Sequence, residues 1–180
     1  MLPEQFCVRM KEMLGEEYAA FYASYDLPKY QALRINPLKT ERDTFLLQAP
    51  FSLNRVPWTT NGYYYSGNDQ PGRHPYHEAG VYYIQEPSAM APAEYLMAEP
   101  GERILDLCAA PGGKSSQIAC SMQGEGLIVC NEIHPARAKI LSENIERMGV
   151  CNALVTNETP QKLSDNFREY FDRILVDAPC

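Results

Sequence analysis

Long apolar runs are absent from this chain of 180 residues, and none reaches the roughly 18 residues that a membrane-crossing helix needs. The opening stretch MLPEQFCVRMKEM lacks the apolar segment and the small-residue cleavage site of a secretory leader, so the chain reads as cytoplasmic. Cysteine is present but never closely paired. Positions 7, 108, 120, 130, 151 and 180 contain no CxxC, which excludes the common zinc and thioredoxin motifs. In a cytoplasmic protein these thiols are expected to be reduced, most of them packed as small hydrophobes. Histidine is scarce. The one close pair, in HPYH at 74–77, is interrupted by Pro75, which breaks the helix that two such metal ligands usually share, so no metal is expected. Positive charge is also short: 16 Lys and Arg against 23 Asp and Glu give a net charge of −7, which argues against broad nonspecific nucleic-acid binding. The deficit is uneven. Residues 1–80 carry eight basic and nine acidic side chains, and residues 81–180 carry eight and fourteen, so the first part is near neutral and can present a basic face. Repeats and low-complexity tracts are missing too.

What is there suffices for a folded core: an apolar fraction of 45%, with 12 Tyr and six Phe. Residues 3–14 place Phe6, Met10, Met13 and Leu14 on one helical face before Gly15, and a second helix over 16–24 turns Tyr18, Phe21 and Tyr22 inward. QALRINPLKT reads as a short strand ended by Pro37, ERDTFLLQ as a short helix, and residues 50–80 as turns and short strands. VYYIQEPSAMAPAEYLMA begins extended and becomes helical after Pro87. From residue 100 strands and helices alternate. ERILDL, GLIVCNE, ALVTN and DRILVDAPC are strands; between them run SSQIACSM, HPARAKILSENIERMG and TPQKLSDNFREY as helices. In the second of these, Ile140, Leu141, Ile145 and Met148 share a face. Such alternation predicts right-handed crossovers and a parallel sheet with its ligands at the carboxyl ends of the strands. The expected class is therefore α/β: a small α+β accessory domain over 1–80, then four strands of a Rossmann-like sheet over 81–180.

The chemistry concentrates at those strand ends. LDLCAAPGGK puts a small-residue loop between a strand and a helix, where backbone amides can approach a ligand closely. A phosphate loop ending in Gly113-Lys114-Ser115 would need glycine where Cys108 stands, and adjacent glycines at 112 and 113 do not fit GxGxxG. Nucleotide phosphates and dinucleotides are thus disfavoured. Glu132, 19 residues beyond Gly113 at the end of the second strand, has the place of a carboxylate that accepts from ribose hydroxyls, or else merely caps the next helix. A nucleoside ligand without a pyrophosphate fits, and S-adenosylmethionine is the common one.

On these residues the chain resembles the N-terminal half of a Sun-family RNA cytosine-5 methyltransferase, most closely the bacterial enzymes acting on small-subunit ribosomal RNA. The resemblance rests on LRINPLK (33–39), YYIQEPSAM (82–90), LDLCAAPGGK (105–114), NEIHPARAKIL (131–141) and VDAPC (176–180), in the family's order over nearly the whole chain. It implies S-adenosylmethionine as cofactor, held by Cys108, Ala109, Ala110, Pro111, Gly112, Gly113 and Lys114, with Glu132 on the ribose and Arg137 nearby. Asp177 is implied to border the methionine end of the cofactor and to hydrogen-bond the target cytosine, with Lys114 orienting it. The family's Asp after the third strand is replaced by Thr159, which leaves Asn157 or Glu158 for the adenine side. A thiolate adds to carbon 6 of cytosine so that carbon 5 can attack the methyl group. In this family that thiol belongs to a Thr-Cys motif on a later strand, and Cys180 assists product release. The chain alone is therefore expected to be inactive, with the fourth strand an unpaired edge. DNA cytosine-5 methyltransferases instead use the Pro-Cys cysteine as nucleophile; the CAAPGGK loop favours the RNA family.

The implied partner is small-subunit ribosomal RNA, with no membrane and a monomer at full length. Alternatives are a transfer-RNA cytosine-5 methyltransferase and a noncatalytic cofactor- or RNA-binding assembly module. By the same resemblance the N-terminal domain helps to seat RNA. Arg34, Lys39, Arg55 and Arg73 are candidate phosphate contacts, Arg34 first among them, and Tyr63 to Tyr65 candidate stacking groups.

Overall fold

The computed structural model describes residues 2–178 and divides between Tyr30 and Gln31 into two units. The first holds helix α1 (Glu4–Leu14), ended by Gly15 at φ 53, and helix α2 (Tyr18–Ala23), each followed by a single 3-10 turn. Phe6, Tyr18, Phe21 and Tyr25 meet ring to ring at 5.4–6.5 Å. None of its described residues is fully buried, and Met13 and Tyr22, expected inward, face outward.

The second unit carries two sheets. The first is antiparallel, built from β1 (Ala32–Ile35), β2 (Leu53–Arg55), β3 (Gly62–Tyr65) and β4 (Tyr82–Ile84) in the order β2-β3-β1-β4. Helices α3 (Arg42–Gln48) and α4 (Pro75–Glu78) lie in its connections. Pro75 starts α4 rather than breaking it, with His74 as the cap that accepts from the Tyr76 amide. Because β4 pairs with β1 along Leu33↔Ile84, a division after residue 80 would cut this sheet.

Helix α5 (Ala91–Leu96) leads into the parallel sheet, in which β5 (Arg103–Asp106), β6 (Leu127–Asn131), β7 (Ala153–Thr156) and β8 (Arg173–Leu175) stand in the order β7-β6-β5-β8. Helices α6 (Gly113–Met122), α7 (Pro135–Arg147) and α8 (Pro160–Asn166) make the crossovers. The sheet order is thus third, second, first, fourth. Ile104, Ile118, Met122, Ile128, Cys130, Leu141 and Ile145 form the core of this layer. On α7 the buried face is Ala138, Leu141 and Ile145, while Ile140 is half exposed, one position off the inward stripe.

The RINPLK segment ties the antiparallel sheet to α7. Asn36 Nδ2 donates to the carbonyls of Gly80 and Met148 at 2.8 Å, and Lys39 Nζ to those of Ala79 and Arg147 at 2.7 Å. Two of these acceptors, Arg147 and Met148, are orphan carbonyls at the helix C-terminus, where a cation is favourable. Lys39 is therefore spent on the fold.

Strand β8 is shorter than DRILVDAPC suggests. Its only partner among the described residues is β5, so Leu175 is buried while Ile174 and Val176 stand exposed on the open edge.

Candidate active site

The carboxyl ends of β5 and β8, the loop after β5 and the end of β4 enclose a cleft of about 450 Å³. From the expected cofactor loop, Cys108, Ala109, Ala110, Pro111, Gly113 and Lys114 line it, and Asp177 faces it from just beyond β8. Gly112 takes φ 107 to turn the chain into α6, a conformation that disfavours any side chain. Gly113 allows close approach, since a Cβ there would sit 3.2 Å from the Tyr83 ring. The loop is held from both sides. The Ala109 amide donates to the Asn131 carbonyl (2.8 Å), Arg137 donates to the Ala110 carbonyl (2.9 Å) and Asn144 to the Pro111 carbonyl (2.8 Å).

Lys114 Nζ lies 2.6 Å from Asp177 Oδ2. Asp177 is half exposed, so this pair contributes little to stability. Cys180 lies outside the described residues.

Glu132 is 2% exposed. Its Oε1 accepts from the His134 amide (2.9 Å), and its Oε2 lies 3.2 Å from Arg137 Nη1. It therefore holds the amide of His134, just before α7, and pairs with Arg137 at once. Asn157 donates to the Glu132 backbone carbonyl at 2.6 Å, and Glu158 pairs with Lys162 at 2.9 Å. Thr159 is the N-cap of α8, accepting from the Lys162 amide, which gives this threonine a structural task of its own.

Five residues at or beside the cleft were not singled out by the sequence. Asp106, at the end of β5, is 1% exposed and accepts from Ser115 Oγ at 2.6 Å, while its Oδ1 has no partner. Burial pushes its carboxyl up to about 6; Ser115 and Lys114 pull the other way, and Asp177 adds to the rise. A charged residue inside an apolar parallel strand was the available signal. Asn131 is equally buried and fully used: it donates to the carbonyls of Leu107 and Glu158 and accepts from Thr156 and the Glu158 amide. Tyr83 and Gln85, from the YYIQEPSAM stretch at the end of β4, are brought to the cleft by tertiary packing. Gln85 donates to the Ala89 carbonyl (2.9 Å). Glu86 accepts from Ser88 and the Ala89 amide; these bonds and Lys114 outweigh its burial and hold its carboxyl below the ordinary value.

Arg34 requires a correction. It is 2% exposed, donates to Ser116 Oγ at 2.8 Å and lies 5.8 Å from the Tyr83 ring centroid. A guanidinium enclosed between β1 and α6 cannot reach an RNA phosphate, so it packs the interior instead.

A parallel sheet in this order, a small-residue turn after its first strand and a carboxylate after its second define a Rossmann-like methyltransferase fold. Residues 2–87 match the family described as the N-terminal domain of 16S rRNA methyltransferase RsmF, and residues 93–180 that described as 16S rRNA methyltransferase RsmB/F. Ribosomal RNA small subunit methyltransferase F of Citrobacter koseri is 38% identical over 99% of the chain, and that of Enterobacter sp. (strain 638) is 37% identical over the same share. The chain spans about 40% of the length of these curated relatives. A solved methyltransferase homolog from Pyrococcus horikoshii superposes over 99% of the chain and 60% of its own, with a TM-score of 0.87 and 30% identity. NSun6 of the same organism superposes over 99% of the chain and 71% of its own, at 0.85 and 20%, and supports the fold. The chain belongs to the Sun family of rRNA methyltransferases.

Proposed function

We propose that the protein carrying this chain methylates carbon 5 of a cytosine in small-subunit ribosomal RNA, with S-adenosylmethionine as methyl donor. The observation that carries this reading is the Lys114–Asp177 pair, aimed into a cleft walled by the CAAPGGK loop. The residues suit the cofactor. Glu132 offers a carboxylate to a ribose, and the loop after β5 has the small side chains and the left-handed Gly112 that let backbone approach a ligand. The cofactor supplies an electrophilic methyl group when bound.

The residues of the chain bind and orient. Asp177, held by Lys114, accepts from the cytosine amine and manages a proton at ring nitrogen 3, which prepares carbon 6 for a thiol. Cys108, Cys120 and Cys130 are poorly suited to that attack. Burial pushes the Cys108 thiol up, and Asp106, Glu132 and Asp177 push it further; Cys130 is pushed up to about 12 by burial, and Cys120 also rises. Cys180 is assigned the release role. The reading also takes the longer protein to be a monomer working in the cytoplasm.

Titrating the chain with S-adenosylhomocysteine by calorimetry, and assaying methyl transfer by a protein of the relatives' length, tests the proposal. Saturable binding and 5-methylcytosine in small-subunit ribosomal RNA are expected. A methyl group on another atom, or equal use of DNA, would refute it. Binding without transfer would favour a noncatalytic assembly module.

A further inference from the structure

A nucleoside joined to an amino-acid tail needs one continuous groove, yet the site has two hollows. The 450 Å³ cleft and a second hollow of about 90 Å³, walled by Glu132 and Ile133, share two lining residues, Cys108 and Arg137. Arg137 spans the neck between them, with Nη1 3.2 Å from Glu132 Oε2 and Nη2 donating to the Ala110 carbonyl at 2.9 Å. The two partners differ in freedom. The Glu132 side chain is 3% exposed and also fixed by the His134 amide, whereas that of Arg137 is 48% exposed. With one partner on each oxygen and 3% of its side chain exposed, the carboxylate is poorly open to a ribose until something over it moves. The backbone amide of His134 cannot leave, and a half-exposed guanidinium can.

We propose that Arg137 is a gate: in the free chain it occupies the ribose-binding carboxylate and closes the neck, and it swings toward solvent when a ribose diol takes its place on Glu132. This rests on the reading of the cleft as a nucleoside-cofactor site and changes the part that Arg137 plays in it. A residue that competes with the ligand has the opposite mutational sign from one that touches it. Removing Arg137 leaves Glu132 without that partner in the free chain, and the ligand's hydroxyls then restore one.

The test is calorimetric binding of adenosine, 2′,3′-dideoxyadenosine and S-adenosylhomocysteine to the chain and to its Arg137→Ala and Arg137→Lys variants, with association rates by stopped flow. Arg137→Ala should bind adenosine and S-adenosylhomocysteine about three- to fivefold tighter, the scale of a part-exposed ion pair, and associate faster. Binding of the dideoxy compound, which gains from the open neck but has no diol to offer Glu132, should tighten by less. Arg137→Lys, which can reach one of the two acceptors at a time, should shift the same way by less and keeps the test decisive if the alanine variant unfolds. Weaker binding in either variant would show that Arg137 holds the ligand, and overturns the gate. An equal gain for the dideoxy compound, or no gain at all, overturns it as well. If the unaltered chain binds neither adenosine nor S-adenosylhomocysteine, the cofactor reading fails, and the gate with it.

Discussion

The two flanks of β5 are built differently. On the β6–β7 side the strand ends are knitted together: all four hydrogen-bonding positions of Asn131 are used, Asn157 holds the Glu132 backbone, and Thr159 caps α8. On the β8 side Arg173 pairs with Glu102 at the start of the strand (2.8 Å), but at the carboxyl end the described residues offer one ion pair, Lys114–Asp177, beside the outward-facing Ile174 and Val176. Under the proposed function, the first flank recognises an invariant nucleoside and gains from being preorganised. The second then admits a nucleobase and carries a moving proton; that needs accessible groups, and accessibility keeps its pairwise energies small.

The largest break of this contrast is expected at Asn131. Asn131→Leu leaves several buried partners unsatisfied at once and should cost about 4 kcal/mol of stability, read by urea denaturation. Asp106, between the flanks, comes next. Its folded value of about 6 exceeds the ordinary 3.8, so between those values the folded chain keeps a proton that the unfolded chain has released. Stability therefore falls as pH rises from about 4 to about 6 and stays lower above, by about 3 kcal/mol. Asp106→Asn should flatten that part of the profile, as the difference between melts of the two proteins. Gly112→Ala forces a side chain into φ 107 with its Cβ 3.2 Å from Leu141; a loss of about 2 kcal/mol is expected in the same melts.

On the loose flank Lys114→Met should change stability by less than about 1 kcal/mol, while methyl transfer drops by about a hundredfold or more. The smallest effect is expected from Arg34→Met. Two guanidinium nitrogens of Arg34 are buried without partners, so an apolar replacement should be neutral within about 1 kcal/mol or slightly stabilising. RNA affinity should not change, and a salt-dependent loss of binding would restore Arg34 as a phosphate contact.

Much of this was legible along the chain because parallel sheets write themselves locally. Each strand of the second half is a short apolar run, each crossover a helical stripe, and the connection rule fixes the order of what lies between. The misreadings came where register or neighbours decide. Ile140 fits a helical stripe by spacing, but the sheet covers α7 one position away. Met13 fits a core face in a unit too small to bury it. Arg34 looks like a free cation in LRINPLK, and packing against α6 encloses it.

By itself the sequence determined the α/β alternation, the turn at CAAPGGK and the carboxylate after the second strand, because these depend on periodicity, on glycine's access to positive φ and on spacing. It also placed Lys114 and Asp177 in one motif set through family resemblance. Only the tertiary structure decided what those groups face. Tyr83 and Gln85 arrive at the cleft from another sheet, Asp106 loses its solvent, and Arg137 pairs with the buried Glu132. Those outcomes depend on distances between segments far apart in the chain, and burial and pairing follow from such distances alone.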